Sequence, residues 1–186
     1  MKTEPELIQH ILAGEWRNYA ILVDKYQKKV FNYVNYLMGN REDAEEVTQD
    51  TFTKAYRSLG QFRGDAKFST WLLRIAHFES LTRLRKKKPM ETGIDHVVCF
   101  SENAIDNPQY MLQQRDKAKV LNLALNKLTP DERSVITLFY YEDLSIKEIV
   151  EVTKLKESNV KIHLHRGRKK LFGILSKMGI KEITYE

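Results

Sequence analysis

The sequence predicts an all-α fold: two small helical domains joined by an irregular linker. Three observations predict it. Apolar residues recur three and four apart through most of the chain, the signature of amphipathic helices. Alternating apolar and polar runs are scarce, and only eight glycines and four prolines interrupt 186 residues. Between Pro89 and about Gln109 the periodicity collapses into polar and turn-forming residues, with only Val97 to Phe100 apolar. A patternless stretch of about twenty residues is long for a loop inside one domain, so it reads as a linker. The expected division is 1–88, 89–109 and 110–186.

Taken in order, a first helix is expected over Glu4 to Ala13, ending at Gly14. Trp16 to Met38 places Tyr19, Leu22, Val23, Tyr26, Val30, Phe31, Val34 and Leu37 on one broad face, and Gly39-Asn40 ends it. The third helix, Glu42 to Leu59, turns Ala44, Val47, Thr51, Ala55 and Leu59 toward a core. Its other side is densely acidic. Acids in the first turn suit the helix dipole, but acid continues to Asp50, which suits either a basic partner or a solvated face. Gly60 to Phe68 forms an aromatic and basic loop, and Ser69 or Thr70 is expected to cap a helix running to Lys87. Its far end, Arg83 to Lys88, is basic. Such a loop and helix can stack single-stranded bases and hold their phosphates; the competing reading makes Phe62, Phe68 and Trp71 core aromatics, and for Trp71 alone core packing is the better reading.

The second domain opens with a helix around Tyr110 to Leu128. Thr129 caps the next, with Pro130 in its first turn. Ser145-Ile-Lys-Glu148 is a capping box heading a short helix to Thr153. After Lys154-Leu155-Lys156 comes a helix with one apolar stripe, Val160, Leu164 and Leu171, and an otherwise basic surface with no acid after Glu157. Two helices joined by about three residues, the second basic, describe a DNA-binding helix-turn-helix. Its outer side presents Ser158, Asn159, Lys161, Ile162, His165, Arg166 and Lys169. Arg166 suits a bidentate pair with guanine, Asn159 suits adenine, and Ile162 a thymine methyl. Arg168, Lys169 and Lys170 suit phosphates.

Composition bounds the rest. Hydrophobic residues make up 42% and charged residues 30%, with a mean hydropathy of -0.50 and a sequence pI near 9.2. The net charge of +6 gathers in basic blocks, an electrostatic footprint expected of nucleic-acid binders. No apolar run approaches the ~18 residues a membrane span requires, and the first residues lack the pattern of a signal peptide. Membrane insertion is therefore not expected, and the expected location is cytoplasmic. The single cysteine, Cys99, excludes an internal disulfide and a cysteine-cluster zinc site. No phosphate loop, catalytic triad or acid–base pair is recognisable. The expectation is a protein that is not an enzyme, with no cofactor, no metal and no catalytic residues.

The motifs stand in a specific order. The first domain carries Asp43-Ala-Glu-Glu-Val-Thr-Gln-Asp-Thr-Phe52, Phe62-Arg-Gly and Phe68-Ser-Thr-Trp-Leu-Leu-Arg-Ile-Ala76, ending in Arg85-Lys-Lys. The second carries Leu128-Thr-Pro-Asp-Glu-Arg, Ser145-Ile-Lys-Glu-Ile, Asn159-Val-Lys161 and His165-Arg-Gly-Arg-Lys-Lys-Leu171. Together they resemble the bacterial sigma factors of the extracytoplasmic-function (ECF) group, minimal members of the sigma-70 family. The resemblance implies a region 2 helical bundle and a region 4 helix-turn-helix, forming a dissociable specificity subunit of RNA polymerase that initiates transcription of a specific regulon.

By resemblance, Asp43, Glu46, Gln49, Asp50 and Phe52 dock on the clamp helices of the largest polymerase subunit, and region 4 meets the flap of the second largest. Phe62, Arg63, Lys67, Phe68, Trp71, Phe78 and Arg85 would serve the −10 promoter element as it melts, and the last helix would read the −35 element of promoter DNA. An anti-sigma factor is an implied partner. Where the family commonly has Asn and Asp, this chain has Phe78 and Thr82; Lys154 replaces the usual turn Gly, and Ile162, His163 and Gly167 replace common Ser, Arg and Ala. These departures imply unusual promoter preferences, and Lys154 implies a strained or altered turn. The alternatives are a helix-turn-helix regulator with an unrelated sensor domain, and a helical adaptor that binds only protein. The acidic side and aromatic loop argue against the first, and the basic runs against the second.

Overall fold

The computed structural model describes residues 3–86 and 120–177. The linker expected over 89–109, with Cys99, and the first part of the helix expected from Tyr110 lie outside them. Helices α1 (Glu4–Leu12), α2 (Tyr19–Met38), α3 (Arg41–Arg57) and α4 (Phe68–Lys86) build the first domain. Helix α5, described over 120–126, precedes α6 (Pro130–Tyr140), α7 (Ile146–Thr153) and α8 (Glu157–Lys177). Among the described residues there is no strand.

Local chemistry sets most of the helix starts. Asn40 caps α3 by accepting from the Asp43 backbone N–H at 3.0 Å. Thr129 and Glu132 form a reciprocal box at the head of α6, as Ser145 and Glu148 do on α7. Helix α3 ends at Arg57 rather than at Leu59, which begins a separate 3₁₀ turn, and two helix starts also differ from the sequence reading. Trp16–Asn18 is a separate 3₁₀ turn, so α2 begins at Tyr19. Helix α4 begins at Phe68, because the Thr70 and Trp71 backbone N–H groups already donate to the Lys67 carbonyl at 3.0 and 3.1 Å. Ser69 and Thr70 are thus inside the helix rather than capping it.

In the first domain α2, α3 and α4 pack mutually around Leu22, Val34, Leu37, Ala44, Val47, Leu72 and Leu73. In the second, α6 and α7 pack on α8 around Val135, Ile149, Val152, Val160 and Leu164. The two domains also pack on each other, α4 against α7 and α2 against α6. This second contact accounts for the last turns of α2, where Tyr33, Asn35, Tyr36 and Met38 are buried outside the single stripe expected of it.

A buried polar cluster lies at that contact. The Tyr33 hydroxyl is 2.9 Å from His77 Nδ1 and 2.7 Å from Ser134 Oγ, and Ser134 Oγ is 3.1 Å from His77 Nδ1. Arg133 donates to the Leu37 carbonyl at 3.0 Å, and also to those of Asn126 and Leu128. Burial lowers its pKa to about 10.

Candidate nucleic-acid interface

Helix α8 is positioned by what lies under it. Val160, Leu164 and Gly167 are buried, and Gly167 lies against Ile136 of α6: an added Cβ would stand 2.8 Å from Ile136 Cγ1. That fixed contact turns Ser158, Asn159, Lys161, Ile162, His165, Arg166 and Lys169 outward, where all seven are exposed. The turn before α8 is closed by Lys154 in the left-handed region at φ 58°, ψ 18°, the conformation a glycine adopts freely there, so of the strained or altered turn expected it is the strained one.

Two residues read as phosphate contacts have partners within their own domain. Arg168 is half-buried, its guanidinium 5.4 Å from the ring centres of both Phe139 and Tyr140. Lys170 Nζ donates to both oxygens of the Glu132 carboxylate at 2.8 Å. Burial alone would raise the Glu132 pKa, but Lys170 and the Thr129 N–H outweigh it and hold it below its usual value. Lys161 is paired with Glu157 at 2.6 Å on the exposed side.

The loop from Phe62 to Phe68 sits on an aromatic cluster. Phe62, Phe68 and Trp71 lie 5.4–5.5 Å apart by ring centres, with Tyr26 beside Phe68. Phe68 is only 1% exposed, so it supports the loop from beneath. Phe62 and Trp71 are half-buried, whereas Arg63, Lys67, Phe78 and Arg85 are exposed. The loop and α1 together line a groove of about 580 Å³ that includes Phe62, Arg63, Lys67, Gln9 and Leu12. Lys67 also reaches the second domain, 3.0 Å from Glu148 Oε1. The Glu148 carboxyl accepts first from the Ser145 backbone N–H and then from Lys67, which lowers its pKa to about 2.

The acidic side of α3 divides in two. Gln49 and Asp50 are exposed, as is Glu46. Asp43 is buried and accepts from Arg83 of α4 at 3.2 Å, and Arg83 also bonds Glu46. Phe52 is 8% exposed, with its carbonyl taken by the Tyr19 hydroxyl at 2.7 Å. Of the five residues assigned to docking, Glu46, Gln49 and Asp50 can meet a partner, while Asp43 and Phe52 shape the helix that presents them. No local spacing signals the Arg83 bridge, which joins residues 40 positions apart.

This arrangement, a helical bundle with an acidic helix and an aromatic loop followed by a helix-turn-helix, coincides with two family models. Sigma-70 region 2 matches residues 22–89 and sigma-70 region 4 matches residues 119–171. The chain is 31% identical over 172 residues to the ECF RNA polymerase sigma factor SigW of Bacillus subtilis, covering 88% of this chain and 92% of that protein. It is 29% identical over 173 residues to the RNA polymerase sigma-H factor of Pseudomonas aeruginosa, covering 89% and 90%. Two solved structures share the fold. The sigma factor RpoE of Bartonella quintana, in complex with the anti-sigma factor NepR, gives a TM-score of 0.69 at 19% identity, covering 86% of this chain and 98% of that one. CnrH, in complex with the cytosolic domain of CnrY, gives 0.68 at 22% identity, covering 92% and 96%. The chain belongs to the sigma-70 family and, within it, to the ECF sigma factors. It is a transcription initiation factor and not an enzyme.

Proposed function

We propose that this ECF sigma factor binds core RNA polymerase through Glu46, Gln49 and Asp50 of α3, on the clamp helices of the largest subunit, with region 4 on the flap of the second largest. The loop at Phe62 and Arg63, with Trp71, Phe78 and Arg85, takes the melted −10 element. Helix α8 reads the −35 element as duplex, Arg166 and Asn159 toward base edges and Lys169 toward phosphate. An anti-sigma factor holds the protein inactive, and its work is done in the cytoplasm; among the described residues no helix is long and apolar enough to cross a membrane. The domain boundaries 1–88, 89–109 and 110–186 divide these tasks.

The observation that carries the reading is the exposed side of α8, where Ser158 to Lys169 project over a buried seam fixed against α6. Run-off transcription with purified core polymerase on promoters selected by the reconstituted holoenzyme tests it. Arg166→Ala is expected to lower use of promoters bearing the selected −35 sequence by about 1–3 kcal/mol, or roughly five- to 150-fold, with core binding unchanged. Loss of core binding in that variant, or no transcript from the parent protein, would overturn the assignment.

A further inference from the structure

One outward side chain of α8 has no polar task to perform. Ile162 is 45% exposed and stands among Ser158, Asn159, Lys161, His165, Arg166 and Lys169. The buried seam of the helix, Val160, Leu164 and Gly167, is complete without it. A branched apolar side chain left in water adds nothing to the fold until something apolar covers it.

Its neighbours narrow what can cover it. Lys161 is bonded to Glu157 at 2.6 Å, which turns its ammonium back along the helix. Asn159 and Arg166 lie three residues before and four after Ile162, on the same side. At a rise of about 1.5 Å per residue these are steps of roughly 4.5 and 6 Å along the axis. Base pairs are spaced ~3.4 Å apart, so the three side chains address base pairs one or two steps from each other. Among the donors and acceptors of the major groove, the one apolar group is the C5 methyl of thymine.

We infer that Ile162 makes α8 a reader of the pyrimidine C5 methyl group, so that 5-methylcytosine is accepted as thymine is, and in preference to cytosine. This deepens the −35 reading proposed above and rests on it. Isoleucine has neither donor nor acceptor. It is therefore blind to the O4 of thymine and the N4 amine of cytosine, which distinguish the two bases in this groove. Only the methyl group gives it area to cover. A −35 element with cytosine at that base pair is a poor site when unmodified and a better one once its C5 is methylated. The adjoining base pairs stay under hydrogen-bonded readout by Asn159 and Arg166.

The test uses the reconstituted holoenzyme and the −35 duplex it selects. Each thymine is replaced by deoxyuridine, which keeps every hydrogen-bonding group and loses only the methyl. Each pyrimidine position is also made as cytosine and as 5-methylcytosine. At one base pair, competition binding is expected to be about fourfold weaker with deoxyuridine than with thymine, and about fourfold tighter with 5-methylcytosine than with cytosine. In Ile162→Ser both ratios are expected to fall to about one, with binding to the deoxyuridine duplex within about twofold of the parent's. Indifference to the methyl group at every pyrimidine, or ratios that persist in Ile162→Ser, overturns the inference and leaves the −35 reading standing. A holoenzyme that selects no −35 sequence overturns that reading, and the inference with it.

Discussion

Acidification should weaken the domain contact through one residue, His77. Its ring is buried beside the Tyr33 hydroxyl of α2 and Ser134 of α6, and burial lowers its pKa from 6.5 to about 4, with Asp131 of α6 acting weakly in the opposite direction. A histidine with a depressed pKa in the folded protein leaves stability unaffected above 6.5. Below that value the unfolded chain gains the proton first, so stability falls with pH until the folded form protonates near 4. The slope is about 1.4 kcal/mol per pH unit, giving about 2 kcal/mol lost at pH 5 and about 3 kcal/mol near pH 4. Urea unfolding followed by circular dichroism at pH 7.5 and pH 5.0 reads this directly. His77→Gln, which does not titrate, supplies the background from all other groups. The parent protein should lose about 2 kcal/mol more than the variant over that interval. Equal losses would show that His77 is not held neutral by this contact.

Three further substitutions follow from single contacts. Gly167→Ala should lower stability by up to about 2 kcal/mol, because overpacking against Ile136 at 2.8 Å outweighs the gain of about 1 kcal/mol in helix propensity; a melting temperature at or above the parent's would refute that. Lys154→Gly should raise stability by about 0.5–1 kcal/mol, since φ 58° disfavours a side chain; thermal unfolding checks it, and destabilisation would count against strain in the turn. Asn40→Ala removes the acceptor for the Asp43 N–H and should cost about 1 kcal/mol in urea unfolding. No change there would mean that Asp43 or water substitutes for the cap.

The helices and the two-domain division were legible because each element carries its own periodicity and stop signals. The cap at Thr129 and the capping box at Ser145 were readable as local spacing, and both form. The contact between the domains was not readable. Its central residues, Tyr33, His77 and Ser134, are polar, and a polar residue off the apolar stripe reads as surface. One signal was available: the end of α2, from Tyr33 to Met38, is apolar on nearly every side, which marks a helix buried on more than one face. Phe68 and Asp43 show the same limit from the other direction. Both belong to motifs assigned to partners, yet Phe68 lies under the loop and Asp43 is held by Arg83. A motif names the element that does the work; burial decides which of its side chains can touch anything.

The internal bonds of α8 also bear on how binding responds to ionic strength. The run from Arg166 to Lys170 holds four cations, and each phosphate contact by a cation steepens the dependence of log affinity on log salt by about 0.9 through counterion release. Arg168 lies over Phe139 and Tyr140, and Lys170 is held by Glu132, so neither displaces counterions as freely as its charge suggests. Arg166 and Lys169 remain on the exposed side. With Arg166 assigned to a base edge, duplex binding through this run should therefore show a slope nearer one phosphate contact than four, leaving a larger share of its affinity to survive in concentrated salt.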